Sequence, residues 1–120
     1  MVVVTAPLVA EKVPPWRAWI QECLGPRRRE FNEFNRRMGL TAHHVWLSDG
    51  PHGPTAVVFH GGPGAKTFLQ RLGTSDHPFD RWFRNRVCEY HGIDFSKIIE
   101  IKSPELVMNW QAPKPAEVTA

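Results

Sequence analysis

The chain opens with Val2-Val3-Val4-Thr5-Ala6-Pro7-Leu8-Val9, apolar at both parities. This predicts a strand over 2–9, with Pro7 at its end or on an edge. Pro14 and Pro15 sit where a helix would begin, and Trp16, Trp19, Ile20, Cys23 and Leu24 follow at helical spacing. After Gly25-Pro26 the stripe resumes at Phe31, Phe34 and Met38. The pattern predicts one helix kinked at Pro26, or two in series, ending at Gly39. Residues 41–48 and 55–60 read as strands on either side of a turn, Asp49-Gly50-Pro51-His52-Gly53-Pro54. A short helix is predicted over 65–72, on Phe68, Leu69 and Leu72. Ser75 or Asp76 can cap the next helix, with Pro78 in its first turn. Phe79, Trp82, Phe83, Arg86, Val87 and Tyr90 recur along it at three and four residues, and Gly92 ends it. Over 97–102, Ile99 and Ile101 alternate with Glu100 and Lys102, which predicts a fourth strand. Residues 105–110 either extend the sheet or add a strand to it.

The order β-α-β-β-α-β is the split, ferredoxin-like arrangement. The expected fold is therefore α+β: an antiparallel four-stranded sheet with strands 1 and 3 central and helices on one face. The domain spans 1–111, and the Pro-containing polar stretch 112–120 reads as a disordered tail. The uncovered face would carry Trp46 and one parity of the valines of strands 1 and 3, too apolar to leave wet. A second copy of the sheet is the expected cover. The chain is thus predicted to be a homodimer, a dimeric α/β barrel with a cavity between the two sheets.

Composition narrows the partners. With 120 residues, 42% of them hydrophobic, there is room for one modest core. No apolar run approaches the roughly 20 residues that span a bilayer, and the opening run lacks a basic segment before it. No membrane partner is expected. The net charge is only +3, because 12 acidic residues offset 15 basic ones. Arg27, Arg28, Arg29, Arg36 and Arg37 are interleaved with Glu30 and Glu33 at helical pair spacing, which favours a self-neutralised surface over nucleic acid. Cys23 and Cys88 make neither a disulfide framework nor a zinc site. They read as reduced thiols, and a cytoplasmic location is expected.

Chemistry has few carriers. His60-Gly61-Gly62-Pro63-Gly64 looks like the oxyanion-hole segment of α/β-hydrolases, but no serine has the flanking glycines of a nucleophile elbow. A strand-to-helix turn that needs glycine explains it better. Six histidines are many for this length. His43 and His44 are adjacent on a strand and face opposite ways. His44 shares its face with Trp46, and His60 joins them if the register allows; a one-residue slip would invert it. His44 and His60 are therefore candidates for acid–base work, with Trp46, Phe59 and Trp110 shaping the pocket. A metal held by His44, His60 and Glu100 is disfavoured, since strands 2 and 4 lie at opposite edges, and no metal or cofactor is expected. Asp76 beside His77 can orient an imidazole, and Asp80 and Arg81 can bind an anion. The competing explanation of that segment is helix capping.

Ser75-Asp76-His77-Pro78-Phe79-Asp80-Arg81-Trp82-Phe83, His91-Gly92-Ile93-Asp94-Phe95 and Pro104-Glu105-Leu106-Val107 with Trp110 resemble small bacterial proteins of uncharacterised function in the dimeric α/β-barrel group. The resemblance covers 75–110 in sequence and is only topological over 1–60. It implies the same fold and dimer and carries over no catalytic residue. Neighbouring families in that group include cofactor-independent monooxygenases, polyketide cyclases and haem-handling enzymes, so fold does not fix function. The expected function is a small-molecule enzyme of secondary metabolism. It would act by acid–base chemistry on an aromatic or polyketide-like substrate in an enclosed cleft, as a cyclase, isomerase or cofactor-independent monooxygenase. The alternatives are a non-catalytic dimer that binds a small ligand and, behind it, a nucleic-acid-binding module.

Overall fold

The computed structural model describes residues 1–101 and 103–114. Three strands, β1 (Val2–Pro7), β2 (Ala42–Gly50) and β3 (Gly53–Gly61), form an antiparallel sheet in the order β1-β3-β2. The β2–β3 hairpin closes over Pro51-His52, pairing Gly50 with Gly53, and Gly53 takes the positive φ of 99° that so tight a loop demands. That loop fixes the register onward: Leu47 opposes Ala56, Val45 opposes Val58, and His43 opposes His60.

Four helices are present among the described residues: α1 (Val13–Leu24), α2 (Arg28–Arg37), α3 (Phe68–Thr74) and α4 (Pro78–His91). Of the two arrangements open for the first helical stretch, the chain adopts two helices in series, because Pro26 denies the ladder an N–H. Trp16, Trp19 and Cys23 of α1, Phe34 of α2, Phe68 and Leu72 of α3 and Phe79 and Phe83 of α4 are buried together over Ala56 of the sheet. Phe83 is the hub, its ring centroid 4.7 Å from Phe34 and 4.8 Å from Trp19. Rings this close attract edge and face beyond simple area burial.

The last helix is capped differently from expectation. His77, not Ser75 or Asp76, is the N-cap of α4, its Nδ1 accepting from the Phe79 N–H at 3.2 Å. Ser75 Oγ instead accepts from the His77 N–H and donates to the buried Asp80 carboxylate at 2.6 Å.

The fourth strand is a second correction. Phe95–Glu100 form a 3-10 helix, and Lys102 lies outside the described residues. Ile98 and Ile101 are three apart, the repeat of a 3-10 turn, and Ile98 is wholly buried. Lys97 and Glu100 pair across the same interval at 3.4 Å. Local i,i+3 interactions thus win over the alternation of Ile99 and Ile101, and the turn packs against α3 and α4. Consequently β1 is a sheet edge among the described residues, and only β3 is central. Residues 105–110 join no strand, and Leu106, Val107, Met108 and Trp110 are all exposed. Of the expected tail, 112–114 are exposed coil and 115–120 lie outside the described residues.

The glycine-rich connection is explained by a crossing of two backbones. Gly64 N–H donates to the Gly39 carbonyl at 2.9 Å, and Thr41 N–H donates to the Gly61 carbonyl at 2.8 Å. A Cβ on Gly64 would collide with the Met38 carbonyl, and Gly62 sits at φ 114° against Gly39 and Thr41. The N–H of Gly64 therefore serves chain packing, not an oxyanion.

Candidate functional site

Between the sheet and the helices lies a cavity of about 520 Å³. Its floor is Val4, Ala56, Val58 and His60 of the sheet, with His43 beside them, and its roof includes Trp16, Trp19, Phe68 and Phe83. Leu24, Val45 and Trp46 also border it and are exposed, at 50%, 38% and 54%, so they stand at its mouth. Among the described residues no Lys, Arg, Asp or Glu lines it. The volume suits a drug-sized organic ligand.

Two histidines meet on the sheet side. The register sets His43 opposite His60, and their rings stand T-shaped with centroids 4.6 Å apart. His43 Nδ1 donates to the Asn35 side-chain carbonyl at 3.0 Å, which leaves Nε2 as the acceptor. Burial pushes His43 down to about 3, and His60 and His44 nearby add to the shift. Burial alone pushes His60 down to about 4. Both imidazoles are therefore neutral at physiological pH: weak bases, but each able to offer one donor and one acceptor. His60 is 2% exposed, and neither of its ring nitrogens has a hydrogen-bond partner. The indole N–H of Trp19 is likewise buried without one. His91, also at the cavity wall, is engaged: its Nδ1 donates to the Pro7 carbonyl at 2.6 Å. Burial lowers its pKa, partly offset by that bond. Cys23 is no nucleophile here, since burial raises its thiol to about 12, with Glu22 adding to the effect.

The expected partners His44 and His60 both border the cavity, but from opposite faces of the sheet. His44 opposes Phe59, one position from His60, and so faces the other side of the sheet. It stacks on Phe59 at 5.5 Å and meets Trp46 edge-on at 6.1 Å. His44, Trp46 and Phe59 thus form a cluster on the face away from the helices, and His60 sits on the helix side with His43. Asp76, His77 and Arg81 are exposed around the start of α4 and do not border the cavity, nor does Trp110, which is 76% exposed.

Several further residues build the site and its surroundings. His43, two positions before Val45 and four before Leu47, belongs to the apolar parity of β2, and that placement was readable. Asn35 was not, because its role depends on α2 lying over the strand. Asp80 is 2% exposed, bonded to Arg37 and Ser75, and ties α2 to α4. Arg84 is buried and donates to the carbonyls of Leu72, Gly73 and Ser75, fixing the α3–α4 connection. Arg27 pairs with Glu30 at 3.0 Å and lies over the Trp82 ring at 4.0 Å.

No group of three or more His, Cys, Asp or Glu side chains among the described residues is placed to hold a metal ion. Among them no helix is long and apolar enough to cross a membrane. No family model, curated protein or solved structure matches the chain.

Proposed function

We propose that this protein binds an aromatic or otherwise apolar small molecule in the cavity between its sheet and its helices. The observation that carries this reading is a 520 Å³ space walled by aromatic and aliphatic side chains with a histidine pair at one side. Apolar surface left in contact with water at such an open cleft is unfavourable, and an apolar guest relieves it. In this reading the site lies inside one chain and not between two sheets. Titration calorimetry with naphthalene is expected to give about one molecule bound per chain. Ala56→Leu, which projects three further carbons from the cavity floor, is expected to weaken binding about tenfold or more. No binding up to the solubility limit would overturn the reading.

One observation favours a catalytic version. Asn35 holds His43 in a single tautomer with Nε2 as acceptor, the arrangement of an oriented base. Cyclisation, isomerisation or oxygenation without a cofactor would then use His43 and His60. In that case His43→Ala and His60→Ala each abolish turnover; in pure binding they change affinity only modestly. The homodimer, with its second, ferredoxin-like half and its likeness to the dimeric α/β-barrel group, remains part of the proposal. The bare sheet face bearing His44, Trp46 and Phe59 supports it. A nucleic-acid role has less support, because Arg27 and Arg37 are engaged by Glu30 and Asp80.

A further inference from the structure

We infer that the ligand is an uncharged aromatic molecule carrying one hydrogen-bonding oxygen, a phenol or an aryl ketone, anchored by His60. This rests on the cavity being the binding site and names the class of molecule it selects.

Three observations converge. The first is charge. Among the described residues no ionic side chain lines the cavity, and the buried ionic groups nearby are committed elsewhere, Asp80 to Arg37 and Ser75, Arg84 to three carbonyls. A carboxylate ligand would lose its hydration and find no cation. The second is shape. Trp16, Trp19, Phe31, Phe68 and Phe83 supply ring faces and edges, which favour a flat aromatic guest. The third is an uneven satisfaction of polar atoms. His43 and His91 each have a ring nitrogen engaged, by Asn35 and by the Pro7 carbonyl. His60, in the floor, has neither engaged, and Trp19, in the roof, also leaves its N–H without a partner. Buried polar atoms without partners are rare and point to something unseen that completes them.

The donor and acceptor count sets the chemistry. A neutral imidazole has one N–H and one lone pair. A phenolic hydroxyl can donate to the lone pair; a ketone oxygen can accept from the N–H. The His60 nitrogens are shielded by Phe68 and His43, whose ring centroids stand 4.1 and 4.6 Å from its own. The oxygen reaches them when the Phe68 ring turns aside, and apolar contact with the guest replaces that packing.

The test compares 2-naphthol, naphthalene and 2-naphthoate by titration calorimetry at pH 7.5. The wild-type chain is expected to bind 2-naphthol about tenfold more tightly than naphthalene, the effect of about one net hydrogen bond. It should bind 2-naphthoate most weakly. His60→Phe should abolish the advantage of 2-naphthol and leave naphthalene bound, and His60→Gln should keep part of it. Equal affinity of wild type for 2-naphthol and naphthalene overturns the anchor and leaves the apolar cavity standing. Tightest binding of 2-naphthoate overturns the exclusion of charge. Failure of all three to bind overturns the cavity itself. The wild-type comparison decides these outcomes even if a His60 variant does not fold.

Discussion

His43 and His60 are neutral imidazoles set into an apolar wall, and each resists protonation in the folded chain, at about 3 and about 4 against an ordinary 6.5. The unfolded chain takes up those protons as the pH falls through 6.5, while the folded chain does not until far lower. Between 6.5 and 4 the unfolded state therefore binds more protons, and stability rises with pH in that window. From pH 7.5 to 5.5 each histidine is expected to remove about 1.4 kcal/mol from the folding free energy. His91, lowered in the same direction, adds to the loss. Urea midpoints at the two pH values check this, and His60→Phe should recover about half of the pair's share. A midpoint that does not move would mean that the cavity histidines are solvated. The facing of these two residues was half legible in the sequence. The parity of β2 puts His43 with Val45 and Leu47, but β3 is apolar at both parities and says nothing about His60. What settles it is the hairpin loop: once Pro51-His52 are the two loop residues, pairing runs from Gly50–Gly53 back to His43–His60. Two prolines and two glycines over 50–54 mark the turn in the sequence without marking its centre.

At the scale of elements, the cavity depends on how α2 and β2 cross the connection from β3 to α3. Gly39, at φ 72°, turns the chain out of α2, and the Gly62-Pro63-Gly64 segment passes close enough for the Gly64 N–H to bond the Gly39 carbonyl. Gly64 has φ −92°, so its constraint is space alone: its missing Cβ is where the Met38 carbonyl lies. Gly64→Ala is expected to cost about 3 kcal/mol or more, since backbone, not a flexible side chain, must move. Gly50→Ala, with nothing within 4 Å of the added carbon, serves as the control and should cost far less. Chemical denaturation of the two variants gives the comparison; similar losses would mean that the crossing is loose. The need for glycine here was legible in the sequence, but its cause was not, because it involves two segments more than twenty residues apart. Similarly, 95–102 carries both an alternating pattern and a period of three. Burial of Ile98 against α3 and α4 selects the second, and only the packed structure holds that information.

At the scale of the whole molecule, the sheet has one face packed by helices and one face bare. Val3, Val57 and Phe59 are half-buried there, and Trp46 is 54% exposed beside His44. The outer edge of β1 is unpaired among the described residues, a second surface that a single chain leaves open. The homodimer proposed above closes this face, whereas His60 lies on the other side of the sheet. Pairing and ligand binding then meet only at the cavity mouth, where His44 and Trp46 stand. Light scattering is expected to give twice the 13.7 kDa of one chain. Trp46→Glu should return the mass to that of one chain: a carboxylate in the middle of an apolar interface must be desolvated without a partner. Its fold should persist by circular dichroism, since the Trp46 ring is half in solvent and, among the described residues, its ring neighbour is His44. A wild-type mass of 13.7 kDa at micromolar concentration overturns the dimer. If the dimer holds, Trp46→Glu should still bind naphthalene. Loss of that binding on conversion to single chains would show instead that the partner completes the cavity mouth, where Trp46 also stands.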